Sequence, residues 1–239
     1  MDQSPKSPAA ALKAVYPPVP LHRAEAWVFD LDNTLYASST NLFSLIDRRI
    51  NAFVADFLNL ELDQARRIQK RYFREYGTTL RGMMERHAME PRRFLDYVHD
   101  IELSAVAPAP ELAAALARLD GRKFIFTNAT DAHAERVMAR LGVGGHFDSV
   151  FDIETAGYVP KPDPRPYRAL ADRFKLDPQT TVMVEDIARN LAPAADMGMT
   201  TVWLRSASSW GLEGAGGDHV HYVADDLAAW LGEVAGEGA

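Results

Sequence analysis

The run Ala26-Trp27-Val28-Phe29 stops on Asp30, and the same design returns three times: Lys123 to Phe126 before Thr127, Thr181 to Val184 before Glu185, and Thr200 to Leu204. A short, continuous apolar run marks a strand buried on both faces of a parallel sheet, whereas a half-exposed strand alternates. Between these runs the apolar residues fall at helical spacing: Leu112, Ala115, Leu116 and Leu119; Val137, Met138 and Leu141; Tyr167, Leu170, Ala171 and Phe174. Strand and helix in alternation predict an α/β fold built on a doubly wound parallel sheet.

One stretch breaks the alternation. From Ser39 to Val106 only helical periodicity occurs, with Leu42, Leu45, Ile46, Arg49, Ile50, Phe53 and Phe57 on one face, then Ala65, Ile68, Tyr72 and Tyr76, then Phe94, Leu95 and Val98. An all-helical insertion directly after the first strand sits over the carboxyl ends of the strands, where open α/β sheets bind ligands. The expected organisation is a core of residues 25–36 and 108–232 and a helical cap of 37–107, with Pro108 and Pro110 marking the return to the sheet. Residues 1–24, rich in proline and small residues (Ser4, Pro5, Ser7, Pro8, Pro17, Pro18, Pro20), read as a flexible arm, and Gly-rich 233–239 as a flexible tail.

Composition narrows the function classes. The 26 Lys and Arg against 33 Asp and Glu leave a formal charge of -7 with no basic tract, which argues against a nucleic-acid polymer as partner. Cysteine is absent, removing disulfides, thiolate zinc sites and a cysteine nucleophile together. No apolar segment reaches the roughly 18 residues of a membrane span and the N-terminus has no signal pattern, so the expectation is a soluble cytoplasmic protein without a membrane partner. Oligomeric state is left open.

Chemistry gathers at the strand ends. Asp30-Leu31-Asp32-Asn33-Thr34 puts two carboxylates two residues apart where the first strand meets its loop, an arrangement able to bind a hard cation such as Mg²⁺ through oxygen, or simply a solvated Asp-rich turn. Thr127-Asn128 offers a hydroxyl and an amide to phosphate oxygens. Tyr158-Val159-Pro160-Lys161-Pro162 holds a lysine between prolines, and Glu185-Asp186 is a second acidic pair at another strand end. Asn190 reads equally as a hydrogen-bond partner of that acidic pair or as a helix N-cap, Arg189 as a solvated surface residue. The seven histidines (His22, His87, His99, His133, His146, His219, His221) show no metal-ligand spacing; His219 and His221 read as surface residues of an edge strand, and Trp203 and Trp210 as core and loop packing.

With these four segments in this order, the sequence resembles the haloacid dehalogenase superfamily from about Trp27 to Leu204, and the insertion resembles that superfamily's α-helical type of cap. The resemblance implies that Asp30 is a nucleophile forming an aspartyl-phosphate and that Asp32 is the general acid and base, a task for a carboxyl protonatable near neutral pH. It further implies that Asp30, the Asp32 backbone carbonyl and Asp186 hold Mg²⁺, with Glu185 a direct or water-mediated ligand, and that Thr127, Asn128 and Lys161 bind the phosphoryl group. The dehalogenase branch has no carboxylate two positions after its nucleophile, so Asp32 favours phosphoryl transfer.

In the insertion, Arg71-Tyr72-Phe73-Arg74-Glu75-Tyr76 runs into Gly77-Thr78-Thr79-Leu80-Arg81-Gly82-Met83. An aromatic and basic helix leading into a Gly-flanked loop offers rings and hydroxyls to a substrate, with Tyr72, Tyr76 and Thr78 as the contacts; equally, the tyrosines form the insertion's core and Gly77 ends a helix. Together with the first motif, this Tyr-Gly-Thr-Thr stretch resembles the pyrimidine 5′-nucleotidase branch, which implies a small phosphomonoester substrate such as UMP or CMP. Alternatives are a phosphatase for phosphoglycolate or sugar phosphates, a phosphomutase, and a non-catalytic binding module.

Overall fold

The computed structural model describes residues 18–205 and 211–237; most of the N-terminal arm, Trp210 and the last two residues lie outside the described residues. Within them, β1 (Ala26–Phe29), β2 (Arg122–Phe126), β3 (Ser149–Phe151), β4 (Thr181–Glu185), β5 (Thr200–Leu204) and β6 (Tyr222–Ala224) form one parallel sheet in the order β3-β2-β1-β4-β5-β6. Every residue of β1, β4 and β5 is buried, as continuous apolar runs require. Trp27 and Phe29 enter a core with Leu112, Leu116, Val137 and Leu231, while Ala26 and Val28 enter the opposite one with Tyr167, Leu170 and Leu191. The first core is covered by α5 (Pro110–Arg118), α6 (Asp131–Leu141) and α9 (Leu227–Glu237), the second by α7 (Pro164–Phe174) and α8 (Ala192–Met197).

Between β1 and α5 the chain forms four helices, α1 (Leu42–Leu58), α2 (Leu62–Tyr76), α3 (Thr79–His87) and α4 (Pro91–His99), with their own core of Phe53, Tyr72, Leu80, Met83, Phe94 and Val98. Pro91, Pro110 and Pro164 each stand in the first turn of a helix, where a missing N–H costs nothing. Among the described residues no helix is long and apolar enough to cross a membrane.

Four details differ from the sequence reading. Residues 79–83 belong to α3, because Thr78 caps it by accepting from the Arg81 N–H at 3.1 Å. Residues 18–24 are docked: Val19 and Leu21 pack on the core, and the Val19 N–H donates to Thr200 Oγ1 at 2.6 Å. The glycines near the C-terminus do not prevent α9 from running to Glu237, since Leu231 and Val234 bury against the sheet. His219 and His221 are half-buried ahead of β6, with His221 Nδ1 accepting from the Thr201 N–H at 3.1 Å.

Gly82 is where α3 meets α2. A Cβ there would lie 2.4 Å from Tyr72 Cγ, and the Tyr72 ring is tethered through its hydroxyl to His87 Nε2 at 2.8 Å. Gly82→Ala is therefore expected to lower stability by about 1–3 kcal/mol despite alanine's better helix propensity, a result a urea melt checks directly.

Candidate active site

In this strand order the chain reverses direction across the sheet at β1, which lies between β2 and β4, and a crevice opens there beyond the carboxyl ends. Asp30 continues the ladder, its N–H donating to Val184 O at 2.9 Å, so its carboxylate is fixed by the sheet. The chain then turns sharply, with Asn33 at φ 62° and the Leu35 N–H returning to Leu31 O at 3.0 Å. That turn brings Thr34 Oγ1 back to donate to Asp30 Oδ2 at 3.1 Å.

Lys161 closes the crevice from the loop before α7. Its buried ammonium donates to Asp30 Oδ1 at 2.6 Å and Phe126 O at 2.9 Å, and lies 3.4 Å from Glu185 Oε2. The Asn190 amide donates to Glu185 Oε1, and Tyr167 Oη fixes the Asn190 backbone at 2.6 Å. Asn190 is thus a partner of the acidic pair; α8 is capped at Leu191 without a side-chain bond. Asp30, Glu185 and Asp186 are all buried and bring one oxygen each within 4.8 Å of the others. Burial first, and then the Asp30 carboxylate, push Glu185 and Asp186 well above the usual carboxylate range against the opposing pull of Lys161. Burial works against the charge on Lys161, but Asp30 and Glu185 outweigh it and raise its pKa. The cluster is short of positive charge. An all-oxygen, thiolate-free donor set in that condition fits a hard divalent cation.

Asp32 has a different environment. Burial raises its pKa, yet the neighbouring His133 imidazole and a 2.6 Å hydrogen bond from Tyr36 Oη outweigh burial and leave the carboxyl below its ordinary value. The sequence reading asks for a carboxyl protonated near neutrality; in the ligand-free protein Asp32 is a carboxylate. His133 sits in the first turn of α6 with its Nε2 3.5 Å from Asp32 Oδ1, a fully buried side chain whose two ring nitrogens have no hydrogen-bond partner among the described residues. The imidazole of His99, the last residue of α4, stacks on it at 4.5 Å, and burial, reinforced by His133, lowers the His99 pKa to about 3. Sequence inspection missed both, because histidines 34 positions apart share no spacing; the available signal was that His133 opens the helix following the Thr127-Asn128 strand end.

A cavity of about 190 Å³, several times a water's share of about 30 Å³, extends from these carboxylates up into the helical insert. Asp30, Asp32, Thr127, Asn128, Lys161, Glu185 and Asp186 line its floor; Ile46, Ile50, Phe73, Leu95 and Val98 line its upper walls. Thr127 and Asn128 are both committed locally, Thr127 Oγ1 accepting from Ala129 N at 2.9 Å and Asn128 Oδ1 from Lys161 N at 2.9 Å. Asn128 therefore anchors the lysine loop. Of the three insert residues singled out, only Thr78 borders the cavity. Tyr72 and Tyr76 pack edge to face at 5.6 Å inside the insert, and the intervening Phe73 faces the cavity instead. Arg189 is not a solvated surface residue, because Phe73 covers it at 4.8 Å while its Nη1 pairs with Glu213 at 3.1 Å. Trp203 is packed as expected and also donates to Asp186 O at 2.9 Å.

Comparison with known proteins agrees with this geometry. Residues 24–198 match the family model of haloacid dehalogenase-like hydrolases. Phosphate metabolism protein 8 of Saccharomyces cerevisiae is 26% identical over 200 residues, 76% of this chain; the match spans 62% of the yeast protein's length, under two thirds. Glyceraldehyde 3-phosphate phosphatase of Methanocaldococcus jannaschii is 26% identical over 192 residues, covering 73% of this chain and 82% of that protein. Among solved structures, CbbY of Rhodobacter sphaeroides, in complex with xylulose-(1,5)bisphosphate, superposes with a TM-score of 0.63 at 18% identity, covering 86% of this chain and 95% of that one.

Proposed function

The chain belongs to the haloacid dehalogenase-like hydrolase family, and from that premise we propose that it is a Mg²⁺-dependent phosphomonoester hydrolase acting on pyrimidine 5′-nucleotides such as UMP and CMP. One observation carries the reaction class: Asp30, Asp32, Thr127, Lys161 and Asp186 line the floor of a single cavity whose upper walls come from the insert. Asp30 attacks phosphorus, the ester P–O bond breaks, and Asp32 supplies the proton to the departing alkoxide. Water then attacks the aspartyl-phosphate while Asp32 takes its proton, releasing phosphate and restoring Asp30. The proton Asp32 needs arrives with the substrate, because a phosphoryl anion beside the carboxylate raises its proton affinity against the effect of His133. Lys161 and the Thr127 hydroxyl hold the phosphoryl oxygens in place.

Asp30, Asp186 and the Asp32 backbone carbonyl would hold Mg²⁺. Both Glu185 oxygens already accept from Asn190 and Lys161, which favours a water-mediated role for Glu185. The bound ion supplies positive charge that offsets repulsion between phosphate and the carboxylates. The helical insert, residues 37–107 in the proposed domain division, supplies the leaving-group pocket, where Ile46, Ile50, Phe73 and Val98 offer apolar surface to a flat base beside the polar Asp47, Lys70 and Thr78. A sugar-phosphate substrate is the second reading, favoured by the name of the Methanocaldococcus relative.

Phosphate release from UMP, CMP, AMP, phosphoglycolate and hexose phosphates with Mg²⁺ tests the proposal. UMP and CMP are expected to lead by about tenfold or more in kcat/KM, and chelation of Mg²⁺ to cost about 10² or more, reversed on adding it back. Sugar phosphates turned over as fast as UMP would remove the pyrimidine assignment; full activity in chelator would remove the metal.

A further inference from the structure

Two residues meet on one oxygen of Asp32. Tyr36 Oη, four residues further along the turn, donates to Oδ1 at 2.6 Å. His133 Nε2, brought in by the first turn of α6, faces the same Oδ1 at 3.5 Å, the outer limit of a hydrogen bond. Among the described residues the polar contacts of the Asp32 side chain fall on Oδ1, which leaves Oδ2 as the unengaged oxygen of this cavity-lining carboxylate. The approaching imidazole is itself immobilised. The His133 backbone N–H donates to Thr130 Oγ1 at 3.3 Å, the ring stacks on His99 at 4.5 Å, and Thr130 Oγ1 lies 3.3 Å from His99 Nδ1. The His133 side chain is 0% exposed, so it meets no substrate atom, and what its Nε2 faces is Asp32. A buried imidazole whose nitrogens lack partners among the described residues is costly to folding and uncommon in native proteins. Contacts of catalytic groups are often long in a ligand-free enzyme and tighten when substrate binds.

We propose that His133 is the positioning residue of Asp32: its Nε2–H, together with Tyr36 Oη, pins Oδ1 and so aims Oδ2 at the ester oxygen of the substrate. The inference rests on the phosphomonoesterase reading above and is independent of which alcohol leaves. As Asp30 attacks and the ester P–O bond breaks, the proton on Asp32 Oδ2 passes to the departing alkoxide; the water that attacks the aspartyl-phosphate then returns a proton to the same oxygen. A carboxyl free to rotate presents that oxygen in the wrong direction, and a misplacement of about 1 Å costs on the order of 10²-fold in rate. Because His99 closes α4, the stack also ties this alignment to the helical insert.

The test uses kcat/KM, which covers the steps through departure of the alcohol. An alkyl phosphate needs the proton of Asp32, whereas p-nitrophenyl phosphate releases a weakly basic phenolate that does not. The readout is the ratio of kcat/KM for the alkyl ester turned over fastest in the panel above to kcat/KM for p-nitrophenyl phosphate, a ratio from which loss of folded protein cancels. His133→Phe keeps a ring to stack on His99 but has no N–H, and should lower the ratio by about 10- to 100-fold. His133→Gln restores an N–H donor without the ring, and should bring the ratio back to within about threefold of wild type. A fall of less than about threefold in His133→Phe, or one that His133→Gln does not reverse, overturns the inference. If these variants do not fold, the imidazole ¹⁵N spectrum of the wild-type protein decides: a proton on His133 Nε2 supports the inference, and a bare Nε2 overturns it. Wild type active on p-nitrophenyl phosphate alone removes proton transfer to an alkoxide and the role of His133 with it; silence on every ester refutes the phosphomonoesterase reading itself.

Discussion

Asp30→Asn is expected to lower phosphate release by about 10⁴ or more while the protein melts within a few degrees of wild type. The activity loss follows from chemistry, since an amide oxygen does not form the covalent aspartyl-phosphate and no other carboxylate is held by the sheet in the same position. The retained stability follows from two opposing terms. The substitution gives up the charge opposite Lys161, whose ammonium is 2.6 Å from the Asp30 carboxylate, but it also relieves the repulsion that helps push Glu185 and Asp186 upward. The shape is unchanged: the amide oxygen still accepts from Lys161, and the NH₂ donates to Thr34 Oγ1 with the sense of that bond reversed. Phosphate release and a thermal melt on the same preparation check both halves. Turnover within tenfold of wild type would exclude Asp30 as the nucleophile.

Lys161→Met is the second large effect, and here stability falls together with activity. Lys161 is 2% exposed, and its ammonium is the cation in contact with both Asp30 and Glu185, at 2.6 and 3.4 Å. Removing one partner of a buried ion pair leaves the other charge uncompensated, at a cost of about 3–5 kcal/mol. For a chain of this length that lowers Tm by on the order of 10 °C. Saturating Mg²⁺ should recover part of the loss, because a divalent cation at Asp30 and Asp186 offsets the same negative charge. Phosphate release should drop by at least about 10², with the phosphoryl oxygens deprived of their fixed cation. Unchanged melting in metal-free buffer would mean that the acidic cluster does not depend on Lys161.

The sequence alone determined the sheet and its chemical edge. Runs such as Ala26 to Phe29 and Thr181 to Val184 are apolar on both sides because both faces are covered, and that pattern is local, readable without knowing what packs where. Since parallel strands end at one edge, Asp30, Thr127 and Glu185-Asp186 had to gather there once the strands were found. The short β3 was not legible, because three residues of which only Phe151 is fully buried make no run.

Tertiary structure decided whatever depends on which side of a helix faces which neighbour. Tyr72 and Phe73 are adjacent in sequence and similar in chemistry; the rotation of α2 against α3 sends the first to the insert's core beside Gly82 and the second to the cavity. His99 and His133 meet only because the end of α4 is laid over the start of α6, and that stack sets the environment of Asp32. Gln69 reads in sequence as one more polar residue on a charged helix, and only its bonds to Asp47, 22 positions earlier, leave its oxygen without a partner among the described residues. Strand burial is a property of a few consecutive residues. A pocket wall is a property of helix rotation and long-range contact, which residue spacing does not encode.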